Sequence, residues 1–575
     1  MANSSTDGVP GEGLDVTGNL TLIQSLSQFP AALWKHQDLF MLEAKIVGAA
    51  LGCIYLGAHA SLRRPPSAKA PSKKSKSGKK TRRHDDDDDQ LVQGLVASDA
   101  IMFPILAGTV LVGLYYLIKW LEDPAIISKI MGIYFSVMSL GSMAKLAADS
   151  LQFITGFIFP DVWKSHNGTL YHFDNARKCQ YALNESGERT YDDSKRSPFP
   201  GFLGRVALSG QKFDAFWELR HLLHEEWTVR LGMHAIGNHK YAVMLNDVLG
   251  VFVAIGASIL YQTTKSTFLS NALGYAFSYV GIVTLSPTTF TIGSSVLFGL
   301  FFYDIYMVFY TAYMVTVATT LDVPIKLVFE SNKRSSMLGL GDIVVPGIFI
   351  GLCLRFDHFL HYYRQQKLVP VELETEATSE DGVVSTKEMQ RVVRKPLYIN
   401  PRGQWGNTFW GHRNATPAVK AAGFKKIYFK AAMVGYLLAM VVTLVMLLVF
   451  KRAQPALLYL VPGVVSAVWI TGLVRREINE MWMYTEDGTL DKEDVVVEVD
   501  GEGNVIKEIE DSKNDDEAAK NNDKDVTTDV AKSDDKSITE KPKSTEVTKK
   551  SSPRTVFVFS IEAPPTPAEV EEIDD

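Results

Sequence analysis

The chain alternates long apolar runs with strongly charged segments. Runs of about 20 predominantly apolar residues are long enough for an α-helix to cross the hydrocarbon core of a bilayer. Nine such runs lie at 44–62, 98–121, 125–147, 241–262, 267–286, 290–318, 337–360, 428–450 and 455–474. The pattern therefore predicts an all-α polytopic membrane protein with about nine transmembrane helices.

The segments between these runs define the expected domain organisation. Its parts are an N-terminal segment (1–43), the first three spans with a basic loop (44–147, loop 63–97), a large loop (148–240), spans four to seven (241–360), a second large loop (361–427), the last two spans (428–475) and a tail (476–575). The weakly apolar stretch Leu151 to Pro160 is expected to be re-entrant or interfacial. The tail is rich in Lys, Asp, Glu, Ser and Thr, which favours disorder over most of its length. Within it, Val556–Phe559 and Pro564–Pro567 are candidate docking motifs.

The charges that flank the first span predict the orientation of the chain. Residues 1–43 contain a single basic residue, Lys35, whereas ten Lys and Arg residues lie between Arg63 and Arg83. Because basic loops stay on the cytosolic side, the N-terminus should be lumenal. Nine spans then place the C-terminus and both large loops in the cytosol. No basic n-region with an apolar h-region follows Met1, so we expect no cleaved signal peptide and assign targeting to the first span.

Glycosylation sequons provide a test of this orientation. Those at Asn3 and Asn19 should be lumenal and available for glycosylation. Those at Asn167, Asn184 and Asn414 should be cytosolic and unused.

Two aspartates interrupt the apolar pattern. Asp304 lies near the middle of the sixth run, and Asp342 lies close to the start of the seventh. A carboxylate inside a bilayer is costly, so its presence indicates a function. Two such groups on neighbouring helices can share one proton and activate a water molecule between them, as in an aspartic protease.

Glycine and proline accompany these aspartates. Gly339, Leu340 and Gly341 precede Asp342, and the two glycines are expected to allow unusual backbone angles and close approach of a substrate. Pro455 is expected to leave the start of the ninth span unwound as a gate beside the site. Unwound backbone of this kind could pair with an extended substrate as an added strand. Tyr303 is expected to pack or hydrogen-bond near the aspartates.

Together these motifs resemble those of the GxGD intramembrane aspartic proteases, and the surrounding sequence resembles the signal peptide peptidase family. The motifs are Tyr303-Asp304, Gly339-Leu340-Gly341-Asp342 and Gln454-Pro455-Ala456-Leu457, with Leu354–Asp357 as a fourth similar segment. The resemblance covers roughly 40–475. It implies nine spans, a lumenal N-terminus, catalysis by Asp304 and Asp342, and support of the active site by residues 454–457.

The same resemblance implies substrates and a compartment. It implies an endoplasmic reticulum membrane protein that cuts remnant signal peptides and type II or tail-anchored proteins, with neither cofactor nor metal. The lipid bilayer, factors of ER-associated degradation and a homo-oligomer are further expected partners, and no nucleic acid is. Glu571–Asp575 contain no dilysine retrieval signal, which leaves the retention mechanism open.

The sequence is also compatible with other functions. A related GxGD protease of another compartment and a proton-coupled transporter would both use intramembrane aspartates. A scaffold that binds membrane segments without cutting them is a third alternative, and the intact aspartates argue against it. A metalloprotease is disfavoured because His221–Glu226 does not form a His-Glu-x-x-His motif. The three cysteines, Cys53, Cys179 and Cys353, have neither zinc-site spacing nor the count of a disulfide framework. Asp99, Asp149, Asp247 and Asp357 lie at probable span ends and are assigned no catalytic role.

Overall fold

The protein is described from a computed structural model. The structure describes residues 37–70, 93–120, 124–183, 188–191, 195–205, 209–233, 237–311, 313–320, 326–331, 334–379, 382–411, 416–450, 454–486, 488, 496–499, 505–509 and 557–563. The sequons at Asn3, Asn19, Asn184 and Asn414 and most of the basic loop therefore lie outside the described residues.

Long apolar helices form the body of the molecule, which is a multi-pass membrane protein. In the described part of the chain, 8 helices are long and apolar enough to cross a membrane. The helices of this bundle are α1 (Gln37–Ala60), α2 (Asp99–Trp120), α3 (Pro124–Ile158), α5 (Leu245–Thr264), α6 (Thr267–Thr284), α7 (Phe290–Phe309), α9 (Gly341–Tyr363), α12 (Ile427–Phe450) and α13 (Leu457–Arg475), and the shorter helices are α4 (Gly210–His224), α8 (Tyr313–Thr320), α10 (Trp405–Trp410), α11 (Pro417–Ala422) and α14 (Ile478–Met483).

Helix α6 occupies the place of the fifth predicted span but is not one of the eight. It has 18 residues, and Asn271, Ser278 and Tyr279 lower its hydropathy. It packs against α1, α3 and α9, and Ser278 and Tyr279 are buried. The prediction of a helix here is confirmed, and its polar residues face protein in the interior of the bundle.

Three predicted boundaries are wrong. The third run does not end at 147, because Leu151 to Ile158 continues α3 as regular helix that packs against α5 and α10, so this stretch is not re-entrant. Its interfacial location stays a prediction. The sixth run ends as a helix at Phe309 and resumes as the short helix α8. The seventh run becomes helical only at Gly341, because the residues before it form a β-strand.

Helix α9 is the centre of the bundle. It contacts α1, α6, α7, α12 and α13, and most of its side chains are buried. Helices α12 and α13 approach so closely that a Cβ added to Gly435 would lie 2.7 Å from the backbone oxygen of Gly463. Small residues of this kind allow the van der Waals packing that joins helices in a membrane.

Side chains at one end of α9 connect it to later parts of the chain. Arg355 is 4% exposed, and its Nε donates to Glu486 at 2.5 Å. Glu486 also accepts from Arg63 and Ser286, so one buried carboxylate joins four segments. Asp357 accepts from the backbone N–H groups of Tyr428 and Phe429 and thereby caps α12. The predicted tail therefore contains ordered residues at least as far as Glu486.

The regions outside the bundle contain small sheets. Their strands are β1 (Gln93–Gly94), β2 (Val162–Lys164), β3 (Leu170–Asp174), β4 (Cys179–Leu183), β5 (Arg189–Tyr191), β6 (Glu226–Met233), β7 (Gly237–Met244), β8 (Leu285–Ser286), β9 (Lys326–Ser331), β10 (Arg334–Gly339), β11 (Lys367–Ser379), β12 (Gly382–Arg394), β13 (Val496–Val499), β14 (Val505–Ile509) and β15 (Phe557–Glu562). Strands β2 to β5 form an antiparallel meander, β11 to β14 form a second antiparallel sheet, and β1 pairs with β8 in parallel.

The tail contributes a strand to a sheet far away in the sequence. Strand β15 pairs antiparallel with β6 over Phe557–Glu562, and Arg230 forms an ion pair with Glu562 at 2.5 Å. The alternating apolar residues Phe557, Phe559 and Ile561 suit a strand, whereas the polar composition of the surrounding tail does not. The prediction of disorder is therefore wrong for this segment, and also for β13 and β14, which pair with each other in the tail.

Candidate active site

Asp304 projects into the bundle from the C-terminal part of α7, five residues before the helix ends at Phe309. It is 5% exposed, and its Oδ2 accepts a hydrogen bond from the backbone N–H of Leu457 at 3.1 Å. Leu457 is the first residue of α13, so its N–H has no partner within that helix. The first free amide of one helix thus holds the carboxylate of another.

Asp342 lies in the first turn of α9. Its carboxyl interacts electrostatically with that of Asp304, and its backbone oxygen accepts from the hydroxyl of Tyr436 at 3.2 Å. Asp342 is half-buried, whereas Ile343 beside it is fully buried. The structure therefore brings the two predicted aspartates to one place, where one is enclosed and the other remains accessible.

A β-hairpin leads directly into this turn. Strands β9 and β10 pair antiparallel, with Val328 opposite Met337 and Lys326 opposite Gly339. Leu327 and Leu338 are buried in the core of the bundle and hold the hairpin against the helices. The sequence pattern predicted helix at Met337–Gly339, and the structure corrects it to strand.

The glycines of the Gly-Leu-Gly-Asp motif differ from expectation in one respect. Neither Gly339 nor Gly341 is among the residues with positive φ, so the prediction of unusual backbone angles is wrong. A Cβ added to Gly339 would lie 3.4 Å from Asp342 Oδ2, and one added to Gly341 would meet nothing within 4 Å. The space beside Asp342 is therefore open at Gly341, while Leu340 between the glycines is buried.

The motif at residues 454–457 forms the entry to α13. Gln454 and Pro455 are not helical, Ala456 is the N-cap, and the helix begins at Leu457. Pro455 is buried and Gln454 partly exposed. The predicted unwound start of the ninth span is confirmed, and its effect is to direct the Leu457 amide toward Asp304.

Tyr303 contacts a different neighbour from the one expected. Its ring packs against α2, where a Cβ added to Gly108 would lie 3.6 Å from Tyr303 Cε2. An electrostatic interaction with Asp304 is its connection to the site.

Sequence reasoning missed two residues that hold the site. Tyr436 on α12 is fully buried and supports the backbone of Asp342. Asn271 on α6 forms two hydrogen bonds to Val328 of the hairpin. A tyrosine and an asparagine inside apolar runs were the available signals, because each needs a polar partner when buried in a bundle.

The other aspartates near span ends have structural partners. Asp149 accepts from the hydroxyl of Tyr279 at 2.7 Å and pairs with Lys145 at 3.1 Å. Asp99 and Asp247 each accept a backbone N–H at the start of a helix. Asp357 caps α12, so all four aspartates have a structural partner, as expected for residues without a catalytic role.

The histidines at 221 and 224 belong to the packed helix α4. Trp217 and Arg220 of this helix are buried, and Arg220 donates to the backbone oxygen of Pro160 at 2.8 Å. Burial lowers the pKa of Arg220 to about 10, although Asp161 opposes the shift. Among the described residues, no group of three His, Cys, Asp or Glu side chains could hold a metal ion. Helix α4 is thus partly buried, with His221 exposed and His224 half-buried.

The site contains two carboxyls on neighbouring helices. The Asp304 carboxyl accepts a backbone N–H, and the space beside Asp342 is open at Gly341. Two carboxyls close together share a proton, because both cannot be charged at once. Such a pair can deprotonate a water molecule and protonate a carbonyl oxygen in one step.

Comparison with known proteins identifies similar sequences. A sequence profile described as signal peptide peptidase matches residues 87–488. Human signal peptide peptidase is 30% identical over 271 residues, covering 46% of this chain and 55% of the human protein. A probable intramembrane protease of Schizosaccharomyces pombe is 34% identical over 242 residues, covering 41% of this chain and 64% of its own length. Intramembrane protease 2 of Caenorhabditis elegans is 30% identical over 263 residues, covering 44% of this chain and 46% of the relative.

The matched region thus spans between about half and just under two thirds of these relatives. No solved structure matches the chain.

Proposed function

The chain belongs to the signal peptide peptidase family, and we propose that it is an intramembrane aspartic endopeptidase in which Asp304 and Asp342 hydrolyse peptide bonds of membrane-spanning segments. The observation that carries the proposal is the convergence of the two carboxyls, with the Leu457 N–H bonded to Asp304. The relatives named as intramembrane proteases support the same activity.

In this mechanism the dyad acts as a unit on one water molecule. One carboxylate removes a proton from the water while the protonated partner donates to the scissile carbonyl oxygen, and the water oxygen bonds to the carbonyl carbon. When this tetrahedral intermediate collapses, the C–N bond breaks. The proton taken from the water goes to the leaving nitrogen, and the other carboxylate recovers its proton from the gem-diol. The Leu457 N–H fixes the orientation of Asp304, and the Tyr436 hydroxyl fixes the backbone at Asp342. Because water is the nucleophile, no covalent enzyme intermediate forms. Gly339 and Gly341 leave room for the peptide backbone beside Asp342.

The substrate must be extended before it is cut, because helical peptide bonds are already hydrogen-bonded and shielded. Strand β10 ends at Gly339, three residues before Asp342. We infer that an unwound substrate adds to the free edge of β10 and is thereby brought to the dyad. Helix-breaking or small residues near the scissile bond should favour cleavage for the same reason.

The cellular setting follows from the family and the charge distribution. We propose an endoplasmic reticulum membrane location with a lumenal N-terminus, and remnant signal peptides and type II or tail-anchored proteins as substrates. Factors of ER-associated degradation and a second copy of the chain are proposed partners, and the large loops and tail supply surfaces for them.

The test uses the purified full chain in liposomes with a membrane-embedded signal-peptide reporter. We expect cleavage within the membrane segment that a transition-state inhibitor of aspartic proteases abolishes and a metal chelator leaves unchanged. Failure to cut a panel of such reporters would overturn the proposal, as would cleavage that persists in the inhibitor.

A further inference from the structure

Resting on the proposed function, we propose that Asn271 is a positioning residue of the active site. Its side chain closes the outer edge of β9 and fixes the hairpin on α6, so that a substrate strand can add only at β10. Asn271 touches neither aspartate and acts through the hairpin.

The contact between Asn271 and the hairpin is bidentate. Its Nδ2 donates to the backbone oxygen of Val328 at 2.6 Å, and its Oδ1 accepts from the backbone N–H of Val328 at 2.8 Å. A carboxamide carries the same donor and acceptor as a peptide group. Asn271 therefore takes the place that a residue of a neighbouring strand would occupy beside β9.

The register of the hairpin shows what this contact leaves free. In an antiparallel pair, opposed residues alternate between exchanging hydrogen bonds and directing them outward. Val328 bonds outward to Asn271, so its opposite residue Met337 also directs its N–H and C=O outward, on the other side. The same alternation applies to Ser335 and Gly339. The outer edge of β10 thus offers backbone groups at every second residue up to Gly339.

This asymmetry determines where a substrate can bind. An edge strand with unpaired backbone groups is a template for another strand. At Val328 the β9 edge is occupied by Asn271, whereas the β10 edge runs toward Asp342. A substrate on β9 would be separated from the dyad by β10, so occupation of the β9 edge directs substrate to the productive side.

The contact also fixes the hairpin along its own direction. Consecutive strand residues advance by about 3.3 Å, so a slip of one residue moves every backbone group by that distance. Reacting atoms must approach to about 3–3.5 Å, which a slip of this size would prevent. Hydrogen bonds to both the N–H and the C=O of Val328 prevent such a slip. Loss of Asn271 should therefore change which substrate bond is cut.

The experiment compares Asn271→Leu, Asn271→Asp and wild type in liposomes. Asn271→Leu has a similar size and neither hydrogen bond, whereas Asn271→Asp keeps the acceptor for the Val328 N–H and loses the donor. Ser278→Ala, in the same helix and buried, is the matched control, because no hydrogen bond of the Ser278 hydroxyl is found in the described structure. Active enzyme is titrated with a transition-state inhibitor, and products are identified by mass spectrometry.

We expect wild type and Ser278→Ala to give the same cut site at the same rate per active molecule. Asn271→Leu should cut at several neighbouring bonds, with kcat/KM reduced by about tenfold, as expected for the loss of one to two modest hydrogen bonds. Asn271→Asp should fall between them. Because active enzyme is titrated, misfolding alone would lower the yield of active molecules without changing the cut sites.

Two results would count against different proposals. An Asn271→Leu enzyme that keeps the wild-type cut site and rate per active molecule would overturn the role of Asn271 and leave the protease intact. If Asn271→Leu does not fold, Asn271→Asp with unchanged cut sites and rate would overturn it equally. Wild-type protein that cuts no reporter would instead contradict the proposed function.

Discussion

At the residue scale, the site consists of two carboxyls, whose placement in a bilayer is energetically unfavourable, and of the groups that hold them. Asp304 and Asp342 are recognisable in the sequence, because a carboxylate within an apolar run seldom lacks a function. Their supports are harder to recognise. Whether a tyrosine or an asparagine in such a run touches the site depends on which helices become neighbours.

Tyr436 provides a prediction at this scale. Tyr436→Phe removes the hydroxyl that donates to the Asp342 backbone oxygen and keeps the ring. Loss of one hydrogen bond of about 1 kcal/mol should lower kcat roughly fivefold. The measurement is single-turnover cleavage per titrated active site.

Tyr428→Phe is the matched control for this prediction. Tyr428 lies on the same helix, but its hydroxyl donates to Glu477 at 2.8 Å, near the end of the bundle. We expect kcat to stay within about twofold of wild type, because no support of the dyad is lost. Equal losses in both variants would show that the Tyr436 effect is general destabilisation.

At the element scale, the start of α13 links the Pro-Ala-Leu motif to the dyad. Pro455 was predicted to interrupt the helix because proline lacks an N–H, and the structure agrees. The consequence, a free Leu457 amide bonded to Asp304, could not be read from the motif, since it requires α7 and α13 to be neighbours.

Replacing this proline should weaken catalysis. In Pro455→Ala the helix can extend backward, and the Leu457 N–H can bond to the carbonyl four residues earlier instead of Asp304. Cleavage should fall by about tenfold or more, because a hydrogen bond to a charged group is worth about 1.5–3 kcal/mol. Pro462→Ala, inside α13 and exposed, should keep wild-type cleavage. The opposite ranking of the two variants would contradict this role of Pro455.

The hairpin before Asp342 shows why an element can be misassigned. Met337–Gly339 continues the apolar pattern of α9, and a short apolar run fits a strand as well as a helix. The strand pairs of β9 and β10 decide the outcome, together with Leu327 and Leu338, which pack into the core. Strand β15 was missed for a related reason, since its partner β6 lies more than 300 residues earlier in the chain.

At the scale of the whole molecule, two ion pairs that share the buried Glu486 join the beginning, the centre and the end of the bundle's sequence. Glu486 follows the last span, Arg355 lies in α9, and Arg63 follows α1. Both side chains of the Arg355–Glu486 pair are less than 5% exposed. Removing one member leaves an uncompensated buried charge, which costs about 3–5 kcal/mol.

Glu486→Gln should therefore destabilise the protein strongly. We expect a lower thermal midpoint in detergent and less protein that binds a transition-state inhibitor. Glu218→Gln, which removes an exposed partner of Lys178, should leave the midpoint unchanged. Equal midpoints for the two variants would mean that the buried network does not hold the bundle together.

The orientation of the molecule is tested by its sequons. We expect glycans on Asn3 and Asn19 and none on Asn167, which lies exposed between β2 and β3. Expression in eukaryotic membranes, followed by an endoglycosidase, should remove two glycans from wild type and one from either Asn3→Gln or Asn19→Gln. A glycan on Asn167 would place the large loop in the lumen and reverse the assignment.

The most direct test of the central claim is a double-mutant cycle on the dyad. Cleavage of a membrane-embedded reporter would be measured for Asp304→Asn, Asp342→Asn and the double variant, each normalised to folded protein. If the two carboxyls share one proton and one water, each single change should abolish cleavage as fully as both together. Substantial cleavage by either single variant, or losses that simply add, would contradict the account.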